Sequence, residues 1–334
     1  MVNRNEFLKG VVATAAVAGL GSAQAGDKTA TLPVPEGREF AGMAGAYAAL
    51  YTPFDKAGRL NEEMVEQLVE RGIRKGLAGF YLTGSTGEGF LLSDDERKRV
   101  YARAAKAAKG RAKLIAHVGC LATENAVALA KSAADAGCDW VSSVAPVYFG
   151  QSFEAAFHHY QAVSEATDLP FLIYSVGKTI DPARDAKLFS LKNVKGMKYT
   201  GYAYWSVQAL KRRLDRPAIF FAGADEQVLS ALAAKDVFSG CIGTTDNVIP
   251  GHFAKICELA AQGDFRSAAV LQDEVVQLVE LIFESDNGSW HKAKMRYIGF
   301  DCGAARAPEG WPLTDAEYAA LCAKLDKLGF VTKG

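Results

Sequence analysis

From Gly42 onward the chain repeats one unit eight times, a short apolar run followed by a longer amphipathic stretch, and this repetition constrains the fold more than any other feature. The runs lie at residues 45–51, 79–83, 113–118, 140–145, 171–175, 194–199, 218–222 and 240–244. Runs that are apolar throughout, rather than alternating, belong to strands covered on both faces, as in a parallel sheet wrapped by helices. The intervening segments carry helix-start signals. Ser93-Asp94-Asp95-Glu96 is a capping box, and Thr123-Glu124-Asn125 opens an alanine-rich stretch. Eight such units predict a closed (β/α)8 TIM barrel over 42–262. Helical segments at about 265–284, 289–299 and 314–328 follow the eighth helix near 252–261, so residues 263–334 are expected to form a C-terminal helical appendage. An open doubly wound sheet is the competing fold, and no G-x-G-x-x-G follows the first run to support it.

The 38 basic and 38 acidic residues cancel, without a Lys/Arg block. That balance argues against nucleic acid or an anionic membrane surface as partner and leaves a small-molecule ligand. Six scattered cysteines form no C-x-x-C pair and read mostly as small core residues. Five histidines show no H-E-x-x-H spacing, so no metal is expected. Ahead of the barrel, residues 1–25 read as an export leader. Arg4 and Lys9 precede an apolar run over 11–20, and Ala23-Gln24-Ala25 suits signal-peptidase cleavage. The Phe7-Leu8-Lys9 part resembles a twin-arginine signal, with Asn5 in place of the second arginine, which points to the periplasm. A cytoplasmic protein with an N-terminal extension is the alternative. The run is too short for a permanent membrane anchor. Residues 26–41 would link leader and barrel.

In a barrel of this kind the reactive groups sit at the C-terminal ends of the strands, so polar residues that interrupt the runs there are informative. The second run leads into Gly84-Ser85-Thr86-Gly87-Glu88, whose backbone N–H groups and hydroxyls can converge on a carboxylate. Taken alone, such a turn equally serves its own backbone. Lys198 follows Met197 inside an apolar strand. It must either reach solvent along its own stem or sit desolvated in the barrel mouth, where a lysine amine can attack a ketone. Tyr174 ends the preceding strand and can relay a proton there or simply fill the core. Tyr148 is open to the same two readings.

With Ser85-Thr86-Gly87, Tyr174 and Lys198 at strand ends in this order, the chain resembles the dihydrodipicolinate synthase and N-acetylneuraminate lyase family of class I aldolases, from about Gly42 to the C-terminus. The resemblance implies that Ser85, Thr86 and Gly87 bind a pyruvate carboxylate, that Lys198 forms a Schiff base and that Tyr174 relays protons. The likeness is closer to the lyase branch. It rests on Ala116-His117-Val118-Gly119-Cys120, Ser152-Phe153-Glu154, the Lys198-x-Thr200 spacing and Gly223-x-Asp225-Glu226. By that likeness Thr200, Gly223, Asp225, Glu226, Gly243 and Thr244 receive the hydroxylated tail of a sugar acid, a role for which ionised carboxylates are chemically suited. The family's Tyr-Asn-[IV]-Pro reads Tyr174-Ser175-Val176-Gly177 here. Lys178 and Thr179 stand where synthases carry an arginine for a second carboxylate.

The resemblance implies cleavage of N-acetylneuraminate to N-acetylmannosamine and pyruvate through a lysine Schiff base, with no cofactor, in a homotetramer whose Tyr148 helps complete a neighbouring site. The rivals are a related pyruvate-dependent aldolase or dehydratase, such as dihydrodipicolinate synthase or a sugar-acid aldolase, and an exported binding protein without turnover.

Overall fold

The computed structural model describes residues 30–149, 152–177, 179–234 and 236–333. The leader over 1–25 and Lys178 lie outside the described residues. Eight parallel strands close into a barrel in sequence order, β1 (Gly45–Ala49), β2 (Gly79–Leu82), β3 (Lys113–His117), β4 (Trp140–Val144), β5 (Phe171–Val176), β6 (Val194–Thr200), β7 (Ile219–Ala222) and β8 (Gly240–Gly243). Closure is made by β8 against β1, where Gly45 pairs with Gly240. Six of the eight apolar runs named from the sequence contain a whole strand, and β5 and β6 each extend one residue past theirs. The helices that follow them in turn are α1 (Glu62–Arg74), α2 (Asp94–Ala108), α3 (Thr123–Asp135), α4 (Phe153–Ser164), α5 (Pro182–Asp185), α6 (Tyr204–Lys211), α7 (Val228–Leu232) and α8 (Pro250–Ala261).

The capping box at α2 forms as expected, Ser93 accepting from the Glu96 N–H and Glu96 accepting from the Ser93 N–H. Helix α3 likewise starts at Thr123, with Ala122 in the cap position and no side-chain cap bond, and the Thr123 hydroxyl lies 2.9 Å from His159 Nδ1 on α4. The three remaining helices, α9 (Phe265–Phe283), α10 (Gly288–Tyr297) and α11 (Asp315–Leu328), form the appendage, and α11 starts with its own Thr314–Glu317 capping box.

Two cores result from the layered geometry. The larger lies between strands and helices. The smaller fills the barrel, with Tyr47, Tyr81, Ile115, Trp140, Leu172, Ile219, Phe221 and Ile242 pointing inward. Phe40 and Met43 belong to this inner cluster, so the described part of the segment ahead of β1 is packed against the barrel, with Trp140 Nε1 donating to the Glu39 carbonyl at 3.2 Å. At the opposite end the inner layer finishes with Tyr81, Tyr174 and Lys198. Four of the six cysteines are buried and all six are free.

Candidate active site

Lys198 and Tyr174 are direct register partners on β6 and β5, so both side chains emerge from the same face at the same height. The lysine is 5% exposed, and its amine lies 4.5 Å from the Tyr174 ring centroid and 4.6 Å from that of Tyr81. Burial pushes the Tyr174 phenol up, but the Lys198 ammonium and the Ser85 and Thr200 hydroxyls outweigh it and hold the group below its ordinary value. Tyr81 is held in turn by Ser142, hydroxyl to hydroxyl at 2.8 Å. The arrangement is a dry aromatic box open at one end.

The Gly84–Glu88 loop is bracketed by two non-glycine residues in the left-handed region, Thr83 (φ 51) and Glu88 (φ 55). Such a conformation costs of order 1–3 kcal/mol and persists only where the surroundings impose it. Those surroundings are visible. Thr83 Oγ1 donates to the His117 carbonyl at 2.9 Å, and Thr52 Oγ1 donates to the Gly87 carbonyl at 2.6 Å. Glu88 receives Lys292 Nζ at 2.8 Å on one oxygen and the Arg306 N–H at 2.7 Å on the other. Lys292 also donates to the Thr52 carbonyl. Burial lowers its pKa, and Glu88 works against that. The appendage therefore clamps the loop through an ion pair with both side chains almost fully buried. Ser85 is left exposed, Thr86 lies 2.6 Å from Thr244 hydroxyl to hydroxyl, and Gly87 is buried where a Cβ would press on the Leu50 carbonyl.

Above the box opens a cavity of about 1040 Å³ whose wall includes Ser85, Thr86, Thr200, Gly223, Asp225, Glu226 and Thr244. Neither Lys198 nor Tyr174 is part of this wall, and Lys198 lies directly behind Gly223. A Cβ there would collide with Thr200 Oγ1 and stand 3.1 Å from Lys198 Cε. Glu226 accepts a hydrogen bond from the Tyr202 hydroxyl at 2.6 Å. Asp225 Oδ2 accepts the Thr245 N–H at 2.7 Å. Burial raises the Asp225 pKa, with hydrogen bonds from Thr245 opposing. Gly243 does not line the cavity, and it gives Asp225 the space behind it. Tyr148 stands apart. It is 77% exposed on the edge of an adjoining cavity of about 580 Å³ whose wall includes Tyr174. The segment following Tyr174 brings Val176 and Gly177 to the main cavity, with Gly177 at φ 64.

Several groups in this architecture carried no role in the sequence reading. His117 packs edge-on to Tyr174 with ring centroids 6.1 Å apart. Burial, reinforced by Arg97, pushes it down to about 3, so the ring is neutral, with Nδ1 3.1 Å from the Thr83 carbonyl and Nε2 accepting the Val144 N–H. Fully buried Arg97 donates to the carbonyls of His117 and Gly119 and ties down the end of β3. A signal for it was present, since Arg97 falls on the stripe of Val100, Tyr101 and Ala104 that α2 turns inward. Glu88 and Lys292 offered none, being 204 residues apart.

Residues 42–328 match the Dihydrodipicolinate synthetase family. The N-acetylneuraminate lyase of Clostridium perfringens is 34% identical over 273 residues, covering 80% of this chain and 93% of the relative. Among solved structures, N-acetylneuraminate lyase from Mycoplasma synoviae superposes with a TM-score of 0.79 at 30% identity, covering 88% of this chain and all of the other. A dihydrodipicolinate synthase from Aquifex aeolicus gives the same TM-score at 27% identity, over 87% of this chain.

Proposed function

The chain belongs to the dihydrodipicolinate synthetase family, and from that premise we propose that it is a carbon–carbon lyase of the Schiff-base aldolase type, cleaving N-acetylneuraminate to N-acetylmannosamine and pyruvate. The observation that carries the reading is the pairing of Lys198 with Tyr174 beneath a wall that holds Asp225 and Glu226. The neutral Lys198 amine adds to the C2 ketone of the open-chain sugar acid while Ser85, Thr86 and the loop around Gly87 hold its carboxylate. Tyr174 gives its proton to the C2 hydroxyl, which leaves as water, and a protonated imine results. A proton then leaves the C4 hydroxyl, the C3–C4 bond breaks and its electrons pass to the imine nitrogen, releasing N-acetylmannosamine. Protonation of the enamine at C3 and hydrolysis return pyruvate and Lys198.

What favours a sugar acid over a dicarboxylate is the charge of the cavity. Among its described lining residues there is no arginine, while Asp225, Glu226 and Glu309 bring carboxylates suited to hydroxyls. Pyruvate release from N-acetylneuraminate by purified protein tests the assignment. Release that disappears in Lys198→Ala is expected. No release by the intact protein, with turnover of a sugar acid or of aspartate semialdehyde plus pyruvate, would transfer the assignment to those substrates.

The reading extends to assembly and location. A homotetramer is supported by the exposed Val147-Tyr148-Phe149 patch beside Tyr174, and export by the leader composition. Light scattering gives the mass of the assembly, and fractionation of cells expressing the full chain gives its compartment. A monomer, or an uncleaved protein in the cytoplasm, would contradict them.

A further inference from the structure

Asp246 has no place in the mechanism above, yet it is a fully buried carboxyl group. It lies in the short 3₁₀ turn Thr245–Asn247 that follows β8, it is 0% exposed, and neither carboxylate oxygen has a hydrogen-bond partner among the described residues. An ionised carboxylate without water or donors costs several kcal/mol, so the neutral acid is the tolerable form, and an acid must place its proton somewhere. Around it stand Asp225 after β7, Lys198 on β6, Cys257 on α8 and Cys241 on β8. The two thiols pair with each other, and the lysine is a donor. Among these titratable neighbours Asp225 is the acceptor whose position the geometry fixes. Its Oδ2 is occupied by the Thr245 N–H, while Oδ1 turns to the space behind Gly243. A Cβ on that glycine would collide with Asp225 Oδ1 and lie 2.6 Å from Asp246 Oδ2, so the two carboxyl groups face each other across the gap that glycine leaves.

We propose that Asp246 is a positioning residue which, as a carboxylic acid, donates its proton to Asp225 Oδ1 and thereby fixes Asp225 as the oriented anion that receives substrate hydroxyls. Two carboxylates this close do not both ionise at neutral pH, and one shared proton leaves a single negative charge. With Asp246 as donor, that charge stays on the member of the pair that faces the cavity. Loss of the shared proton as pH rises would leave two anions opposing each other beside the site. The buried pair therefore adds an ionisation to the alkaline limb of the pH profile, separate from the one the Tyr174 phenol supplies. Burial, followed by the Asp225 charge, raises the Asp246 pKa well above the carboxyl range, which agrees with this sharing.

The inference rests on the proposed sugar-acid reading for the role of Asp225, and its first test is independent of substrate. An infrared difference spectrum of wild type minus Asp246→Asn at neutral pH should contain the C=O stretch of a protonated carboxyl group; its absence overturns the proposal. In kinetics with N-acetylneuraminate, Asp246→Leu should raise KM about tenfold or more with kcat changed less than about threefold. Asp246→Asn, which still offers a donor to Asp225 but cannot titrate, should bring KM back to within about threefold and remove one ionisation from the alkaline limb of kcat/KM, leaving the Tyr174 one. An unchanged KM in the leucine variant, or a wild-type alkaline limb in the asparagine variant, contradicts it. Should the wild type release no pyruvate from N-acetylneuraminate, the substrate assignment fails and the infrared result alone decides on the shared proton.

Discussion

Strand β6 and helix α10 each bury a lysine beside the same cavity, and the two are held in opposite ways. Lys292 is 1% exposed and bonded to Glu88 and to the Thr52 carbonyl, so its charge is matched and its position fixed. Lys198 is 5% exposed and rests against two ring faces at about the same distance. An aromatic face returns roughly 0.5–2 kcal/mol to a cation, well below what a bonded carboxylate supplies in the interior. One lysine is therefore part of the scaffold and the other is kept free to react. Burial alone does not separate them, whereas the identity of the neighbours does.

The largest effect that sharpens this contrast is on turnover. Lys198→Met should lower kcat by at least about 10⁴-fold in steady-state assay, because the covalent route is removed. The same substitution should leave thermal stability intact or raise it by about 1 kcal/mol, as replacement of a buried polar group by an apolar side chain does. Tyr174→Phe comes next, with kcat reduced by about 10²–10⁴-fold and the fold retained, the range for a lost proton relay. Lys292→Met is predicted to act on the other axis, lowering unfolding free energy by about 3–5 kcal/mol in denaturant titration by leaving Glu88 buried and unpaired. If Lys292→Met proved harmless while Lys198→Met unfolded the protein, the comparison would be inverted.

The smallest effect concerns the second clamp between appendage and barrel. Arg306 engages Glu96 through two nitrogens and holds its carboxyl well below the ordinary 4.5, at about 2. Because the folded value is the lower one, the stabilisation is complete above the unfolded value and is lost as pH falls through the interval from 4.5 towards 2. Glu96→Gln should cost about 1–3 kcal/mol at neutral pH, and much less at the acid end of that window, in paired denaturation curves.

The barrel was legible in the sequence because strands buried on both faces must be apolar throughout, and the competing open sheet lacked a G-x-G-x-x-G after the first run. Most of the candidate site was legible for the complementary reason. Lys198, Tyr174 and Asp225 are polar groups placed where an apolar run ends, and that interruption is visible locally. What escaped depends on pairing across the chain. The role of Glu88 is set by Lys292 and Arg306 from the appendage, and no local pattern announces it. Asp246, next to Asn247 at the end of the eighth run, has the composition of an ordinary polar turn. Only its fully buried carboxyl group, without a hydrogen-bond partner among the described residues, sets it apart. Tyr148 shows the reverse limit, since the sequence left open whether it relays a proton or fills the core, and the structure places it exposed at an adjoining cavity.

The central claim is that Lys198 is the reactive amine, and borohydride reduction in the presence of pyruvate followed by peptide mass spectrometry tests it most directly. The account predicts one reduced pyruvyl adduct, on the peptide carrying Lys198, and none in Lys198→Ala. An adduct on Lys292 instead, or no adduct on the intact protein, would contradict it.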